Sequence, residues 1–239
     1  MERVLNQLVE KLRKTYQDRL VSVVLYGSAA AGEHHQRYSD INILCVLSRI
    51  STRELGESEP VFRWWRGLDN PAPLLLTLDE LRQSTDCFPV EFHDIRERHR
   101  IIYGEDVVSG LEIDDKFYRA QVEHEVRAKL LRLRQKAAGV LGDRELLLRL
   151  MADSVSTFLI LARHTLLLSG AEAPWPKREL IAQLQAKFQI DQEPFTALLD
   201  LREKKIKPKS LNPGSLLPSY LSAIQALAET IDRLDQSVR

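Results

Sequence analysis

The chain has 239 residues, 44% of them apolar, and its 34 Lys and Arg side chains are balanced by 34 Asp and Glu side chains. This length suits two modest domains, and the composition is typical of a soluble globular protein. A formal charge of zero excludes a molecule that binds nucleic acid electrostatically over its whole surface.

The N-terminal residues carry apolar side chains at helical spacing among many charges, which predicts an amphipathic helix and not a signal peptide. Capping-box patterns at Ser51–Glu54 and Thr77–Glu80 predict that two further helices begin there. We expect these elements in chain order: helix 2–18, strand 21–26, short helix 28–32, strand 41–47, helix 51–68, strand 74–77, helix 78–84, strand 88–95 and a short strand near 101–103.

Beyond residue 112 the sequence shows only helical periodicity. We therefore predict two domains, residues 1–112 and residues 113–239. The fold class is α+β, with a mixed β-sheet flanked by helices in the first domain and an all-α helical bundle in the second. The most apolar run, residues 158–168, is interrupted by Arg163 and His164, so we expect no membrane span and a cytoplasmic protein.

Two short patterns at the ends of adjacent predicted strands contain the candidate functional residues. Gly27-Ser28 follows the first strand, and Asp40-Ile41-Asn42 opens the second. Because alternate side chains of a strand share one face, Asp40 and Asn42 point the same way while Ile41 enters the core. Two oxygen-bearing side chains at this separation can share a hard divalent ion such as Mg²⁺. Gly27 allows a close approach of phosphate to the backbone.

This pattern resembles the nucleotidyltransferase superfamily of DNA polymerase β, kanamycin nucleotidyltransferase and other antibiotic nucleotidyltransferases. Its signature is Gly followed by Gly or Ser and, about ten residues later, Asp-x-Asp or Asp-x-Glu on a strand. The resemblance implies a nucleotidyltransferase fold and Mg²⁺-dependent transfer of a nucleoside monophosphate from a nucleoside triphosphate to an acceptor hydroxyl. The layout of an α/β domain followed by helices also resembles fused forms of bacterial minimal nucleotidyltransferases and their helical partner domains.

The resemblance also implies a third acid on a neighbouring strand. Phe88, Val90 and Phe92 alternate within the predicted strand 88–95, which leaves Glu91 on the opposite, polar face. Glu91 is therefore the candidate third metal ligand beside Asp40 and Asn42. The alternative is that Glu91 is a surface acid of an edge strand.

Four residues are candidates for contacts with the nucleotide phosphates. Gly27 and Ser28 form the turn, and Arg37 and Ser39 lie in the connection between the two halves of the motif. Ser39 is also placed to brace Asp40. The acceptor would be a small molecule or a protein, with RNA less favoured.

Asn42 departs from the superfamily pattern because its amide is neutral where the pattern has a carboxylate. Two interpretations follow. The chain is a working transferase with weakened Mg²⁺ binding, or it is a weakened member that acts as a nucleotide-binding, regulatory or antitoxin-like partner module. Cys45 and Cys87 lack metal-ligand spacing. The pair Trp64-Trp65 suits either internal packing or a contact between copies of the chain in a homo-oligomer.

Overall fold

The computed structural model describes residues 1–30 and 41–236, except for the side chains of Ser28, Asp235 and Gln236. The chain forms two units, Met1–Phe117 and Tyr118–Arg239. The sequence predicted the division after residue 112, slightly before the one in the structure. The first unit contains α1 (Glu2–Tyr16), β1 (Leu20–Tyr26), β2 (Asn42–Leu47), α2 (Thr52–Arg66), β3 (Leu74–Thr77), α3 (Leu78–Gln83), α4 (Pro89–Glu97) and β4 (His99–Gly104).

The four strands form one mixed sheet in the order β3-β2-β1-β4. The central strand β1 pairs antiparallel with both β2 and β4, whereas β2 and β3 are parallel. A parallel pair needs a crossover connection, and α2 supplies it. The mixed sheet flanked by helices, predicted from the sequence, is confirmed.

Each face of the sheet is covered by a different set of helices. On one face, Val23, Leu25 and Cys45 pack with side chains of α1 and α2. On the other face, Val24, Leu44 and Val46 pack with residues of α3, α4 and the segment after β4. Alternation along β1 and β2 produces this division, because neighbouring residues of a strand point to opposite sides. Burial raises the pKa of the Cys45 thiol to about 12.

The predicted strand 88–95 is wrong, because these residues form the helix α4. Pro89 occupies the first helical turn, where a missing N–H costs nothing. Phe88, one of the three alternating residues that suggested a strand, is 51% exposed, while Val90, Phe92 and Ile95 are buried. The buried residues Phe92 and Ile95 are three apart and belong to one side of a helix.

The second unit is entirely helical in its described part, as predicted. Its α-helices are α5 (Tyr118–Ala138), α6 (Arg144–Leu168), α7 (Lys177–Phe188), α8 (Glu193–Arg202) and α9 (Pro213–Gln236). Helix α6 is the centre of this bundle and packs against the other four. Its interior includes a buried polar pair, the Tyr118 hydroxyl and His164 Nδ1, 2.5 Å apart. Across the described ranges, no helix has both the length and the apolar character needed to cross a membrane.

Candidate functional site

The turn after β1 lies directly against the first residue of β2. Tyr26, the last residue of β1, pairs with Asn42 in the sheet. Gly27 follows with a φ of +76°, in the left-handed region where a side chain is strained. A Cβ atom at Gly27 would lie 3.3 Å from Asn42 Nδ2, which is a tight contact. The left-handed backbone favours glycine here, and an added side chain would also have to displace the Asn42 amide by a few tenths of an ångström.

A hydrogen bond ties this turn to the third strand of the site. The Gly27 N–H donates to the Arg98 carbonyl at 3.0 Å, just before β4 begins. His99, the first residue of β4, pairs with Tyr26. Asn42, Tyr26 and His99 therefore form a row across three strands at one end of the sheet. The Gly27 N–H already donates within the chain, so it is not available to a ligand. Gly27 can contribute to a binding site only by allowing a ligand to approach the backbone closely.

Asn42 points toward the sheet face that α4 covers. It alternates with Ile41 and Ile43, which are buried on the opposite face, and is in phase with Leu44, which packs near α4. Asn42 is half-buried. The sequence-based expectation for its direction agrees with this arrangement.

Glu91 belongs to α4 and is exposed, although the sequence placed it on a strand. The helix is anchored on the Asn42 side of the sheet through Phe92 and Ile95. Burial raises the pKa of the Tyr26 hydroxyl, and the charge of the Glu91 carboxylate raises it further. Glu91 therefore lies close enough to Tyr26 to act on it electrostatically, on the same side of the sheet as Asn42.

The remaining predicted site residues are outside the described part of the chain. These are Arg37, Ser39 and Asp40, together with the side chain of Ser28. Within residues 1–30 and 41–236, no three His, Cys, Asp or Glu side chains form a group that could hold a metal ion. Asn42 and Glu91 are the two predicted ligands that the structure describes, and both offer oxygen atoms, the donors that Mg²⁺ prefers.

Sequence reasoning missed the contributions of Arg98 and His99. The short strand was predicted near 101–103, but β4 begins at His99. Extending the strand back by two residues would have set His99 beside the end of β1. No local signal indicated this extension, because the start of β4 is defined by its pairing with β1, which is distant in the sequence.

The second unit contains a pair of cations that the sequence did not single out. Lys177 Nζ donates to the Ser156 hydroxyl at 2.9 Å, and Arg202 Nη1 donates to the Ala152 carbonyl at 3.0 Å. Desolvation and the nearby Arg202 charge lower the pKa of Lys177, while Glu203 opposes them.

Comparison with known proteins gives a family and a fold. The family model described as "Nucleotidyltransferase domain" matches residues 5–137. The structure of spectinomycin adenyltransferase AAD(9) from Enterococcus faecialis, with ATP and spectinomycin, has a TM-score of 0.59 at 14% identity, covering 95% of this chain and 98% of that one. At this identity the likeness shows the fold alone.

A toxin–antitoxin structure with AMP-PNP matches with a TM-score of only 0.29 at 18% identity, over 57% of this chain and 95% of that chain. This score is too low to support an argument about fold or partner. No curated protein sequence matches the chain. The family match covers more than half of the 239 residues, so the protein belongs to the nucleotidyltransferase domain family.

Proposed function

We propose that the protein transfers a nucleoside monophosphate from a nucleoside triphosphate to an acceptor hydroxyl. The observation that carries this proposal is the left-handed Gly27 turn packed against Asn42 at the paired ends of β1 and β2. In the reaction the acceptor oxygen bonds to the α-phosphorus and the bond to the β-phosphate breaks. Pyrophosphate leaves and the hydroxyl proton passes to solvent. The acceptor would be a small molecule or a protein.

The triphosphate would lie against the turn formed by Gly27 and Ser28. Without a Cβ, Gly27 lets the phosphates approach the backbone, and the amides that follow would donate to them. Arg37 and Ser39 are proposed as further contacts from the connection to β2. Since the Gly27 N–H is engaged by Arg98, donation must come from residues after Gly27.

Asp40, Asn42 and Glu91 are the residues that would hold Mg²⁺. When bound, the ion would offset the charge of the triphosphate and polarise the phosphoryl group that is transferred. A carboxylate, an amide oxygen and a second carboxylate are all hard oxygen donors, which suits this ion. The exposed position of Glu91, on the side of the sheet to which Asn42 points, supports its inclusion.

The neutral Asn42 supports a second candidate function. A contact between unit charges at 4 Å is worth about 4 kcal/mol at an effective dielectric constant of about 20. Loss of such a contact corresponds to a factor on the order of 10³ in metal affinity or rate. A protein weakened to this extent would act as a nucleotide-binding, regulatory or antitoxin-like partner module.

Calorimetric titration with ATP and GTP, with and without Mg²⁺, tests both functions when combined with a turnover assay. We expect Mg²⁺-dependent binding in the wild type, stronger Mg²⁺ binding and faster turnover in Asn42→Asp, and loss of both in Asp40→Ala. Nucleotide binding without turnover in the wild type and in Asn42→Asp favours the partner module. Absence of nucleotide binding in both proteins contradicts the transferase and the nucleotide-binding module, and leaves only a module that binds a protein partner.

A pair of glycine variants tests the position of the phosphates. Gly27→Val should abolish nucleotide binding, because it strains the turn and fills the space beside Asn42. Gly170→Val is the matched control, since Gly170 also has a positive φ, +68°, but lies in the second unit with open space around it. Ser28→Ala should weaken binding only modestly, because the backbone amide remains. Equal affinity in Gly27→Val and Gly170→Val would place the phosphates elsewhere.

A further inference from the structure

A single residue joins the helix that carries Glu91 to the strand beside the Gly27 turn. Helix α4 ends at Glu97 and β4 begins at His99, so Arg98 alone connects them. The Arg98 N–H donates to the Asp94 carbonyl within α4, and the Arg98 carbonyl accepts from the Gly27 N–H, both at 3.0 Å. Any movement of this connection changes the position of the turn relative to α4.

The His99 side chain fixes this connection from one side. Its Nδ1 lies 3.1 Å from the Arg96 carbonyl in the last turn of α4. A carbonyl oxygen can only accept, so Nδ1 carries the hydrogen. His99 therefore holds Arg98 from both sides. Its backbone begins β4, and its ring hydrogen-bonds to the last turn of α4.

The other ring nitrogen of His99 faces the segment that follows β4. Nε2 lies 3.4 Å from the Ser109 hydroxyl and 3.8 Å from an Asp106 carboxylate oxygen. Ser109 donates to Asp106 at 2.6 Å, and the same carboxylate accepts the N–H groups of Val108 and Ser109. This turn is itself anchored, because the Val108 side chain is buried in the cluster that contains α4 residues.

The His99 ring lies on the sheet face that also carries Tyr26 and Asn42. His99 is two residues before Ile101, which packs in the cluster on this face. Only 15% of the His99 side chain is exposed. The ring thus occupies a nearly closed position beside the proposed site and contacts two other segments of the chain, the end of α4 and the 106–109 turn.

We propose that His99 is a positioning residue: by holding Arg98 between α4 and β4, it fixes the Gly27 turn relative to the helix of Glu91. The consequence for nucleotide binding rests on the proposed function. The Nδ1 contact carries the effect, since it closes the Arg98 connection directly. The contacts of Nε2 with the 106–109 turn are longer, at 3.4 and 3.8 Å, and have less influence on Gly27.

Two conservative variants separate the contacts of the two ring nitrogens. In His99→Asn, the side-chain NH₂ replaces Nδ1 and can still donate to the Arg96 carbonyl. In His99→Gln, the longer side chain reaches toward Ser109 and replaces Nε2. His99→Ala removes both contacts. His93→Ala is the matched control, because His93 on α4 also pairs with an aspartate, Asp115, at 2.6 Å.

The first measurement is the amide resonance and hydrogen exchange of Gly27 by NMR, which needs no nucleotide. We expect a shifted resonance and faster exchange in His99→Ala and His99→Gln, near wild-type values in His99→Asn, and no change in His93→Ala. An unchanged Gly27 amide in His99→Ala overturns the proposal. The proposal would also be overturned if His99→Asn and His99→Gln changed the Gly27 amide equally and in proportion to their loss of thermal stability. His99 would then only stabilise the fold.

The second measurement is the Kd for ATP in the presence of Mg²⁺. His99→Ala and His99→Gln should bind about tenfold more weakly than the wild type and His99→Asn, which corresponds to the loss of one hydrogen bond. If ATP does not bind to the wild type while the Gly27 amide responds as expected, the proposed function fails and the positioning role of His99 stands. If the wild type binds ATP and His99→Ala binds it equally well, the positioning role fails and the proposed function stands.

Discussion

The two faces of the sheet in the first unit differ in what covers them. The face packed by α1 and α2 is sealed by large apolar side chains, including the fully buried Tyr16 and Trp65. The face packed by α3 and α4 has a smaller cluster, and the half-buried polar residues Tyr26 and Asn42 lie at its edge. The face covered by α1 and α2 therefore contributes to stability, and we propose that the face covered by α4 carries the functional site.

Two sets of acidic residues illustrate the same division. On the α2 side, Arg19 binds Glu54 and Glu57 at 2.6 and 2.7 Å, so these charges are used within the chain. On the α4 side, Glu91 is exposed and near the row of Tyr26 and Asn42. We therefore expect substitutions on the α2 side to change stability and substitutions on the α4 side to change function.

Trp65→Ala should have the largest effect on stability. The Trp65 ring is fully buried and its Nε1 donates to the Pro71 carbonyl at 2.9 Å. Its removal should lower the free energy of unfolding by about 3–5 kcal/mol. Urea unfolding measures this, with the half-buried neighbour Trp64 changed to Ala as a control that should lose less. The Kd for ATP of the remaining folded protein should be unchanged; a large change would mean that the two faces do not act independently.

Glu91→Gln should produce the opposite pattern. If Glu91 is a metal ligand, the loss of its charge should reduce the turnover rate by a factor on the order of 10³. The free energy of unfolding should change by less than about 0.5 kcal/mol, because the side chain is exposed. Glu97→Gln, at the end of the same helix, serves as the control in the turnover assay. Equal turnover in Glu91→Gln and the wild type would exclude Glu91 from the site.

Glu54→Gln should change how stability depends on pH. Hydrogen bonds from the Ser51 hydroxyl and from Arg19 lower the pKa of Glu54 from 4.5 to about 2. The folded state therefore holds the charged form, and the resulting stability is fully present above about pH 4.5 and is lost as the pH falls toward 2. Urea unfolding at pH 6 and pH 3 should show a larger difference between wild type and variant at pH 6. An equal difference at both pH values would contradict this assignment.

The comparison of α2 with α4 explains what the sequence could predict. The capping box of Ser51 and Glu54 is a local pattern, and the structure contains both of its hydrogen bonds. Helix α4 has no side-chain cap at its start, and its residues alternate as in a strand. Only Pro89 favoured a helix. Local signals were sufficient for α2 and misleading for α4.

The candidate site was predictable in part for a related reason. Gly27 and Asn42 belong to a motif whose spacing appears in the sequence, and the structure pairs the ends of their strands. The pairing of β4 with β1 brings together residues more than seventy positions apart, such as Tyr26 and His99. Such pairing depends on the whole fold, so no local pattern could place His99 beside the turn.

The contrast between the two cysteines has a practical consequence. Cys45 is buried in the middle of β2, and burial raises the pKa of its thiol to about 12. Cys87 is exposed, although its hydrogen bond with Asp86 also raises the pKa of its thiol. A thiol reagent can therefore modify Cys87 in the folded protein, whereas Cys45 reacts only when β2 separates from its neighbours. The labelling rate of Cys45 thus measures how often the sheet opens, without any introduced probe.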